Sequence, residues 1–138
     1  MPRRLQEIVD EFADAPRDIA LEMLLEFSDA LPPLPDTPPG DLEQVVECQT
    51  PFFLRATVRP DRSVGLLFDC PPEAPTTRAF AGILATGLDG ASAEEVLAVP
   101  GDLYQRMGLG QAISPLRLRG GAAILARLQR QVREQLVN

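Results

Sequence analysis

The chain has 138 residues, 45% of them hydrophobic and 24% charged, which is typical of one globular domain spanning residues 1–138. It contains no His, and all 13 basic residues are Arg, so neither a Cys-His nucleophile pair nor a lysine Schiff base can form. The net charge of −7 argues against a nucleic-acid partner, and no apolar run approaches the roughly 20 residues that cross a bilayer.

The charges are distributed unevenly along the chain. Residues 1–50 contain twelve acidic side chains and three Arg, whereas residues 103–138 contain six Arg and only one acid, Glu134. Solvated helix faces that attract each other within the fold are the simpler interpretation, and steering of a docking partner is the alternative.

The cysteine content and the start of the chain indicate a reducing compartment. Two Cys in a domain of this size do not make a disulfide framework. The run Met1-Pro2-Arg3-Arg4 leads directly into an acidic amphipathic stretch without a secretory signal. We therefore expect a cytoplasmic protein with free thiols and no membrane association.

The N-terminal region is predicted to form a pair of helices over residues 3–13 and 17–31. Asp14 is the expected N-cap of the second helix, and Pro16 is compatible with a first turn. Apolar residues at helical spacing predict the buried face of this helix. These residues are Ile19, Met23, Leu24 and Phe27.

The middle of the chain is predicted to form a small antiparallel sheet. A Pro-rich connection over residues 32–40 forbids regular structure and leads into a short strand over residues 42–47. Two β-rich runs follow over residues 52–58 and 64–68, and the segment 59–62 between them has the composition of a hairpin turn.

Local start signals predict three helices in the remainder of the chain. The first covers residues 76–87, and Ser92 with Glu95 forms a capping box that opens a short helix to about Ala98. Ser114-Pro115 opens a long final helix. Its interior Gly120-Gly121 pair is unfavourable in a helix, so we expect another backbone to approach there, namely the loop that carries Cys48.

This order of elements predicts an α+β fold. An N-terminal helical pair precedes a three-stranded antiparallel sheet, and the C-terminal helices pack on one face of that sheet. The apolar face of the final helix is expected to join the core. It consists of Leu125, Leu128, Val132 and Leu136.

Four short motifs, in order along the chain, resemble the SufE family of sulfur acceptors, which includes SufE and CsdE. The central motif is Glu47-Cys48-Gln49-Thr50 followed by an apolar strand. The second is Glu73-Ala74-Pro75-Thr76-Thr77-Arg78-Ala79, and the third is Ser92-Ala93-Glu94-Glu95-Val96. The fourth is Ile113-Ser114-Pro115-Leu116-Arg117. The resemblance covers about residues 3–135 and implies a SufE-like fold.

The chain departs from the family pattern at three places. Glu47 stands where the family has Gly before the Cys, and Gly reaches positive φ more freely than Glu does. Thr50-Pro51 replaces Ser and a polar residue, and Ala79 replaces a helix Gly.

The resemblance implies that Cys48 accepts a persulfide sulfur from a PLP-dependent cysteine desulfurase of the SufS or CsdA type. The sulfur would then pass to an iron–sulfur scaffold of the SufBCD type. PLP belongs to the partner, so this chain itself needs no cofactor and acts as an accessory protein that stimulates the desulfurase. Arg117 matches the family's arginine near the thiol and is the candidate for stabilising a thiolate or persulfide. The residues expected in the loop or in partner docking are Glu47, Gln49, Thr50, Glu73 and Arg78.

Two other function classes remain open at this point. One is an adaptor that regulates a desulfurase without chemistry at Cys48. The other is a stand-alone thiol enzyme such as a peroxidase, which would need a base or a resolving Cys. A metal site is not indicated, because two Cys with 21 residues between them, and no His, do not supply four ligands.

Cys70 is predicted to be a small hydrophobic residue at the end of a strand. In the predicted hairpin it lies opposite residue 51 or 52, which leaves Cys48 about 10–13 Å away along the neighbouring strand. A disulfide requires Cα atoms within about 7 Å, so pairing of the two thiols is disfavoured. We further predict that Cys48 is partly shielded in the free protein, in an apolar slot formed by Phe52, Phe53 and the Gly120-Gly121 pair.

Overall fold

The computed structural model describes residues 1–36 and 41–137. Its elements confirm the predicted α+β fold. The α-helices are α1 (Arg3–Asp14), α2 (Arg17–Ala30), α3 (Pro75–Gly87), α4 (Ala93–Leu97), α5 (Leu103–Arg106) and α6 (Pro115–Leu136). The strands are β1 (Glu43–Gln44), β2 (Phe53–Val58) and β3 (Val64–Asp69), and one 3₁₀ turn covers Leu109–Gln111.

The three strands form an antiparallel sheet in the order β1-β2-β3. Val58 pairs with Val64 at the hairpin, and Phe53 pairs with Asp69 at the other end. Arg62 closes the turn with a φ of 69°, in the left-handed region that a tight hairpin turn requires. The predicted hairpin is therefore confirmed, and the alternation of side chains places Leu54, Ala56 and Phe68 in the core.

Strand β1 is shorter than the sequence predicts. The main-chain N–H of Val45 still donates to the carbonyl oxygen of Phe52 at 2.8 Å, but the chain then turns, and the N–H of Cys48 donates to the carbonyl oxygen of Val45 at 3.2 Å. This turn ends the ladder, so that residues 45–50 form a loop instead of a strand.

Helix α6 supplies hydrogen bonds to the part of β2 that lies beyond the N-terminal end of β1. The Oε1 atom of Gln131 accepts from the main-chain N–H of Ala56 at 2.7 Å. The side-chain amide of Gln135 accepts from the N–H of Val58 at 2.7 Å and donates to the carbonyl oxygen of Ala56 at 2.8 Å. These bonds lock α6 across the sheet and fix where its N-terminal half lies.

The core lies between the helices and the sheet. The predicted residues Leu125, Leu128 and Val132 of α6 are buried in it. Helices α2 and α3 approach very closely at Gly82, where a Cβ atom would lie 2.0 Å from the carbonyl oxygen of Phe27. The largest fully buried side chains include Phe12, Phe52, Phe80 and Tyr104.

Two predictions about the N-terminal helices are wrong. Asp14 is the last residue of α1, and α2 begins after Pro16 without a side-chain hydrogen bond at its N-cap. Ile19 is 42% exposed and does not belong to the buried face, whereas the predicted Leu24 is buried and Met23 and Phe27 pack partly buried against the core. Ala20 and Ser28 are also buried, and their small side chains suit the close approach to α3.

The local signals for the later helices are confirmed. Ser92 and Glu95 form a complete capping box at α4. The Ser114 side chain accepts from the N–H of Arg117 at the start of α6. In the Pro-rich connection, residues 31–36 contain no helix or strand, while residues 37–40 lie outside the described residues. Within the described chain, no helix is long and apolar enough to span a membrane.

Candidate functional site

Cys48 lies on the loop between β1 and β2, beside the N-terminal half of α6. Its side chain is half-buried, and its Sγ atom is 3.9 Å from the carbonyl oxygen of Gly120, to which the thiol donates a weak hydrogen bond. The turn at Val45 aims the side chain toward α6. The loop thus presents its thiol to a helix backbone and only in part to solvent.

The predicted close approach at the glycine pair is confirmed for Gly120. A Cβ atom at this position would lie 3.3 Å from Cys48 Sγ and 3.8 Å from the carbonyl oxygen of Glu47. Gly121 has a different neighbour: its Cβ atom would lie 2.9 Å from the ring of Tyr104 and 3.2 Å from that of Phe80. Gly120 therefore leaves room for the loop that carries Cys48, and Gly121 leaves room for the rings of Tyr104 and Phe80.

Cys48 opens onto a cavity of about 180 Å³ between its own loop, the start of α3 and the first turns of α6. Phe80, Gly120 and Gly121 supply its apolar wall. The predicted slot with Phe52 and Phe53 is wrong, because Phe52 points into the core and packs on Phe68, with ring centroids 6.0 Å apart. Six of the seven predicted site residues line the cavity. They are Glu47, Cys48, Gln49, Thr50, Glu73 and Arg117.

The two predicted arginines have different positions. Arg117 lies at the rim, and its Nη1 atom donates to Thr76 Oγ1 at 3.3 Å, which joins the start of α6 to that of α3. Arg78 does not line the cavity. Its Nη1 atom donates to the carbonyl oxygen of Cys70 at 3.0 Å and holds the end of β3.

The thiol of Cys48 is protonated at neutral pH. Burial raises its pKa from the ordinary 9.0 to about 11, and the Glu47 carboxylate adds to this effect, while Arg127 opposes it. At pH 7 the thiolate is therefore a minor species. We call this half-buried position of the Cys48 loop against α6 the closed position. In it, the thiol is a poor nucleophile.

Arg127 is the site residue that sequence reasoning missed. Its Nη1 atom donates to Glu43 Oε2 at 2.7 Å, and its Nη2 atom donates to Glu47 Oε1 at 2.7 Å. Arg130 also pairs with Glu43, and Gln131 donates to Glu43 Oε1 at 3.0 Å. Burial raises the pKa of Glu43, but these three hydrogen bonds outweigh it and bring the pKa down to about 2.

The same network explains how Glu47 fits where the family has Gly. Arg62 is the only non-glycine residue with positive φ among residues 1–36 and 41–137, so Glu47 has an ordinary backbone conformation. The hydrogen bond from Arg127 lowers the pKa of its carboxyl group, so Glu47 is charged at neutral pH. The signal in the sequence was the opposite charge of the two ends of the chain, which did not identify the pairs.

Cys70 occupies the position that the register predicts. It follows Asp69, the partner of Phe53, and therefore lies opposite Phe52. Its side chain is buried, both cysteines are free thiols, and burial raises its pKa to about 11 although Arg78 opposes the shift. Within the described residues, no group of three or more His, Cys, Asp or Glu side chains is placed to hold a metal ion.

The fold and the site define a small α+β protein in which one half-shielded thiol borders a shallow cavity. The sequence profile described as "SufE: Fe-S metabolism associated domain" matches residues 6–132, so the chain belongs to the SufE family. This membership connects it with iron–sulfur metabolism.

Similar proteins cover nearly the whole chain. An uncharacterized SufE-like protein of Mycobacterium tuberculosis is 48% identical over 97% of this chain and 94% of its own length. SufE-like protein 1 of Arabidopsis thaliana, chloroplastic/mitochondrial, is 28% identical over 95% of this chain, which corresponds to 35% of that protein. The solution structure of a hypothetical protein from Thermus thermophilus superimposes with a TM-score of 0.90 at 46% identity and covers 100% of this chain and 99% of its own.

Proposed function

We propose that this protein is a sulfur acceptor whose Cys48 takes a persulfide sulfur from a PLP-dependent cysteine desulfurase of the SufS or CsdA type. Removal of the sulfur from the desulfurase stimulates its turnover. The protein then delivers the sulfur to iron–sulfur cluster assembly on a scaffold of the SufBCD type. A reducing cytoplasm suits this role, because it keeps Cys48 available as a thiol.

The observation that carries the proposal is the environment of Cys48 in a member of the SufE family. The thiol borders a cavity, and its nearest polar partner is a main-chain carbonyl. The chain has no His or Lys to serve as a general base. Such a thiol suits a passive carrier that receives and hands on a sulfur atom, with the chemistry driven by its partners.

The transfer step is a thiol–persulfide exchange. The Cys48 thiolate attacks the outer sulfur of the desulfurase cysteine persulfide, a new S–S bond forms at Cys48, and the original S–S bond breaks. The desulfurase cysteine leaves as a thiolate and takes up the proton that Cys48 lost. The sulfane sulfur changes its carrier without net oxidation or reduction.

Docking has to activate the thiol before this step. The pKa of about 11 in the closed site leaves too little thiolate, and burial is the main cause of that shift. A turn of the loop that brings Cys48 out of the cavity removes this cause and exposes the sulfur. The desulfurase can drive the turn only by binding the open loop more tightly than the closed one.

The raised pKa of Cys48 also argues against a stand-alone thiol peroxidase, which needs a thiolate in the free enzyme. Peroxide consumption by the purified protein alone would support that alternative. An adaptor without thiol chemistry remains the second candidate. It would gain no sulfur on Cys48, and the mass of the protein shows whether sulfur has been added.

The test is to incubate the protein with desulfurase holoenzyme and L-cysteine and to record intact and peptide masses. We expect a gain of about 32 Da, one sulfur atom, on the peptide that contains Cys48. Cys48→Ser should fold, carry no added sulfur and fail to stimulate cysteine turnover. The matched control Cys70→Ala should retain both properties. Full stimulation by Cys48→Ser would favour the adaptor.

A further inference from the structure

We propose that Arg127 is a positioning residue that holds the Cys48 loop closed through its ion pair with Glu47. The guanidinium group lies on α6 and grips the residue next to the thiol. The role of the closed loop in sulfur transfer rests on the proposed function. The ion pair that holds the loop closed is a property of the free protein.

We call Arg127 a clamp, because it pairs with one residue that is fixed in the sheet and with one residue of the loop that can move away. Its Nη1 atom bonds Glu43 in β1, and its Nη2 atom bonds Glu47 in the loop, both at 2.7 Å. Glu43 is also held by Arg130 and Gln131. Arg127 therefore stays anchored to the sheet through Glu43 when Glu47 moves away.

The exposure of the three side chains supports this asymmetry. Arg127 and Glu43 are 24% and 28% exposed, whereas Glu47 is 46% exposed. An ion pair that is partly open to water contributes modestly, on the order of 2- to 5-fold in an equilibrium. The Glu47 pair is thus strong enough to bias the loop and weak enough for a docking protein to break.

The other bonds of the loop leave this role to Arg127. The thiol makes only a weak hydrogen bond to Gly120, at 3.9 Å. The turn bond from Cys48 N–H to Val45 lies within the loop and can move with it. Among the described residues, Arg127 makes the one ion pair that joins the loop to α6.

Electrostatics alone and loop opening predict opposite results for Arg127. Its positive charge lowers the pKa of Cys48, so its removal without opening would reduce the thiolate fraction and slow alkylation. Removal of a clamp exposes the thiol and accelerates alkylation. For Glu47, both effects act in the same direction, so Arg127 is the decisive position.

The experiment measures iodoacetamide alkylation of Cys48 and Cys70 separately, by peptide mass spectrometry, in the free protein. Wild type is compared with Arg127→Gln, Glu47→Gln and the matched control Arg130→Gln, which loses a bond to Glu43 but keeps the pair between Arg127 and Glu47. We expect Arg127→Gln and Glu47→Gln to alkylate Cys48 about 2- to 5-fold faster than wild type. Arg130→Gln should match wild type.

Buried Cys70 reports whether a variant has loosened as a whole. Equal acceleration at both thiols, or a rate for Cys48 in Arg127→Gln at or below that of wild type, would overturn the proposal. If Arg127→Gln does not fold, the pH profile of Glu47→Gln decides: opening raises the rate at every pH, whereas a charge effect alone only moves the midpoint. No desulfurase is present, so the result is independent of whether sulfur transfer occurs.

Discussion

The Sγ atom of Cys48 packs directly against the face of α6 that Gly120 leaves without a side chain. The Gly120 carbonyl oxygen lies 3.9 Å from this sulfur, and a Cβ atom at residue 120 would lie 3.3 Å from it. The closed position of the thiol therefore depends on the absence of a side chain on the helix that faces it.

We predict that Gly120→Ala displaces the thiol and accelerates its alkylation. The new methyl group is tight against Sγ, and the loop can relieve the contact by moving outward. The higher helix propensity of Ala, about 1 kcal/mol, offsets the cost of this tight contact, so the free energy of unfolding should change little. Gly110→Ala is the matched control, because nothing lies within 4 Å of its Cβ position. An unchanged rate at Cys48 in Gly120→Ala would contradict the role of this glycine.

Tyr104→Phe should leave the free energy of unfolding unchanged or raise it by about 1 kcal/mol. The Tyr104 side chain is buried, and its hydroxyl group has no hydrogen-bond partner among the described residues. Its ring packs on Phe80 with centroids 4.5 Å apart, a contact that Phe preserves. Urea unfolding of both proteins measures the difference. A loss above about 1 kcal/mol would mean that the hydroxyl group is hydrogen-bonded, for example by a buried water.

Stability should fall at alkaline pH because of the two thiols. Burial raises the pKa of Cys48 and of Cys70 from 9.0 to about 11, so the folded state holds these protons more tightly than the unfolded state. Their contribution is complete below pH 9 and is lost as the pH rises toward 11. Urea unfolding from pH 8 to pH 10.5 should show a shallower decline for Cys48→Ser/Cys70→Ala. Identical declines would show that the thiols are not responsible.

When the loop opens, Glu47 should lose its ion pair with Arg127 and become free to pair with a cation of the docking protein. Arg127 keeps Glu43 when the loop turns out, so a desulfurase that supplies Arg or Lys to Glu47 would stabilise the open form. We expect Arg127→Gln to stimulate cysteine turnover at a lower concentration than wild type, because its loop is released and its Glu47 is intact. Glu47→Gln should require a higher concentration than Arg127→Gln.

This comparison uses titrations of each variant against a fixed amount of desulfurase, with Arg130→Gln as the control that should follow wild type. If Glu47→Gln reached half-maximal stimulation at or below the concentration that Arg127→Gln needs, the desulfurase would not supply a cation to Glu47. The salt dependence supplies a second reading, since Glu47→Gln should be less sensitive to salt than Arg127→Gln.

The features that the sequence predicts well are those with local causes. The capping box at Ser92 and the Ser114-Pro115 start depend on residues within one helical turn, so their spacing identifies them. The hairpin register follows from alternation along two short strands, and it correctly placed Cys70 opposite Phe52. Cys48 and five of its expected neighbours line one cavity because one loop and two helix starts carry them.

The features that the sequence did not predict depend on packing between distant segments. Glu47 and Arg127 are 80 residues apart, and nothing in the spacing of either residue identifies the other. Ile19 of α2 was wrongly expected in the core, and Ala20 and Ser28, buried on the same helix, were not predicted, because their burial depends on the close packing of α2 against α3 at Gly82. Phe80 replaces Phe52 and Phe53 in the cavity wall for the same reason: the orientation of a helix against the loop is a tertiary property.

The glutamine pair on α6 has a consequence for self-association. Strand β1 covers only the first part of β2, so the N–H groups of Ala56 and Val58 would otherwise form an open edge able to recruit a strand from another molecule. Gln131 and Gln135 occupy those N–H groups from within the same chain. A three-stranded sheet with one very short member can thus resist edge-to-edge aggregation without a fourth strand.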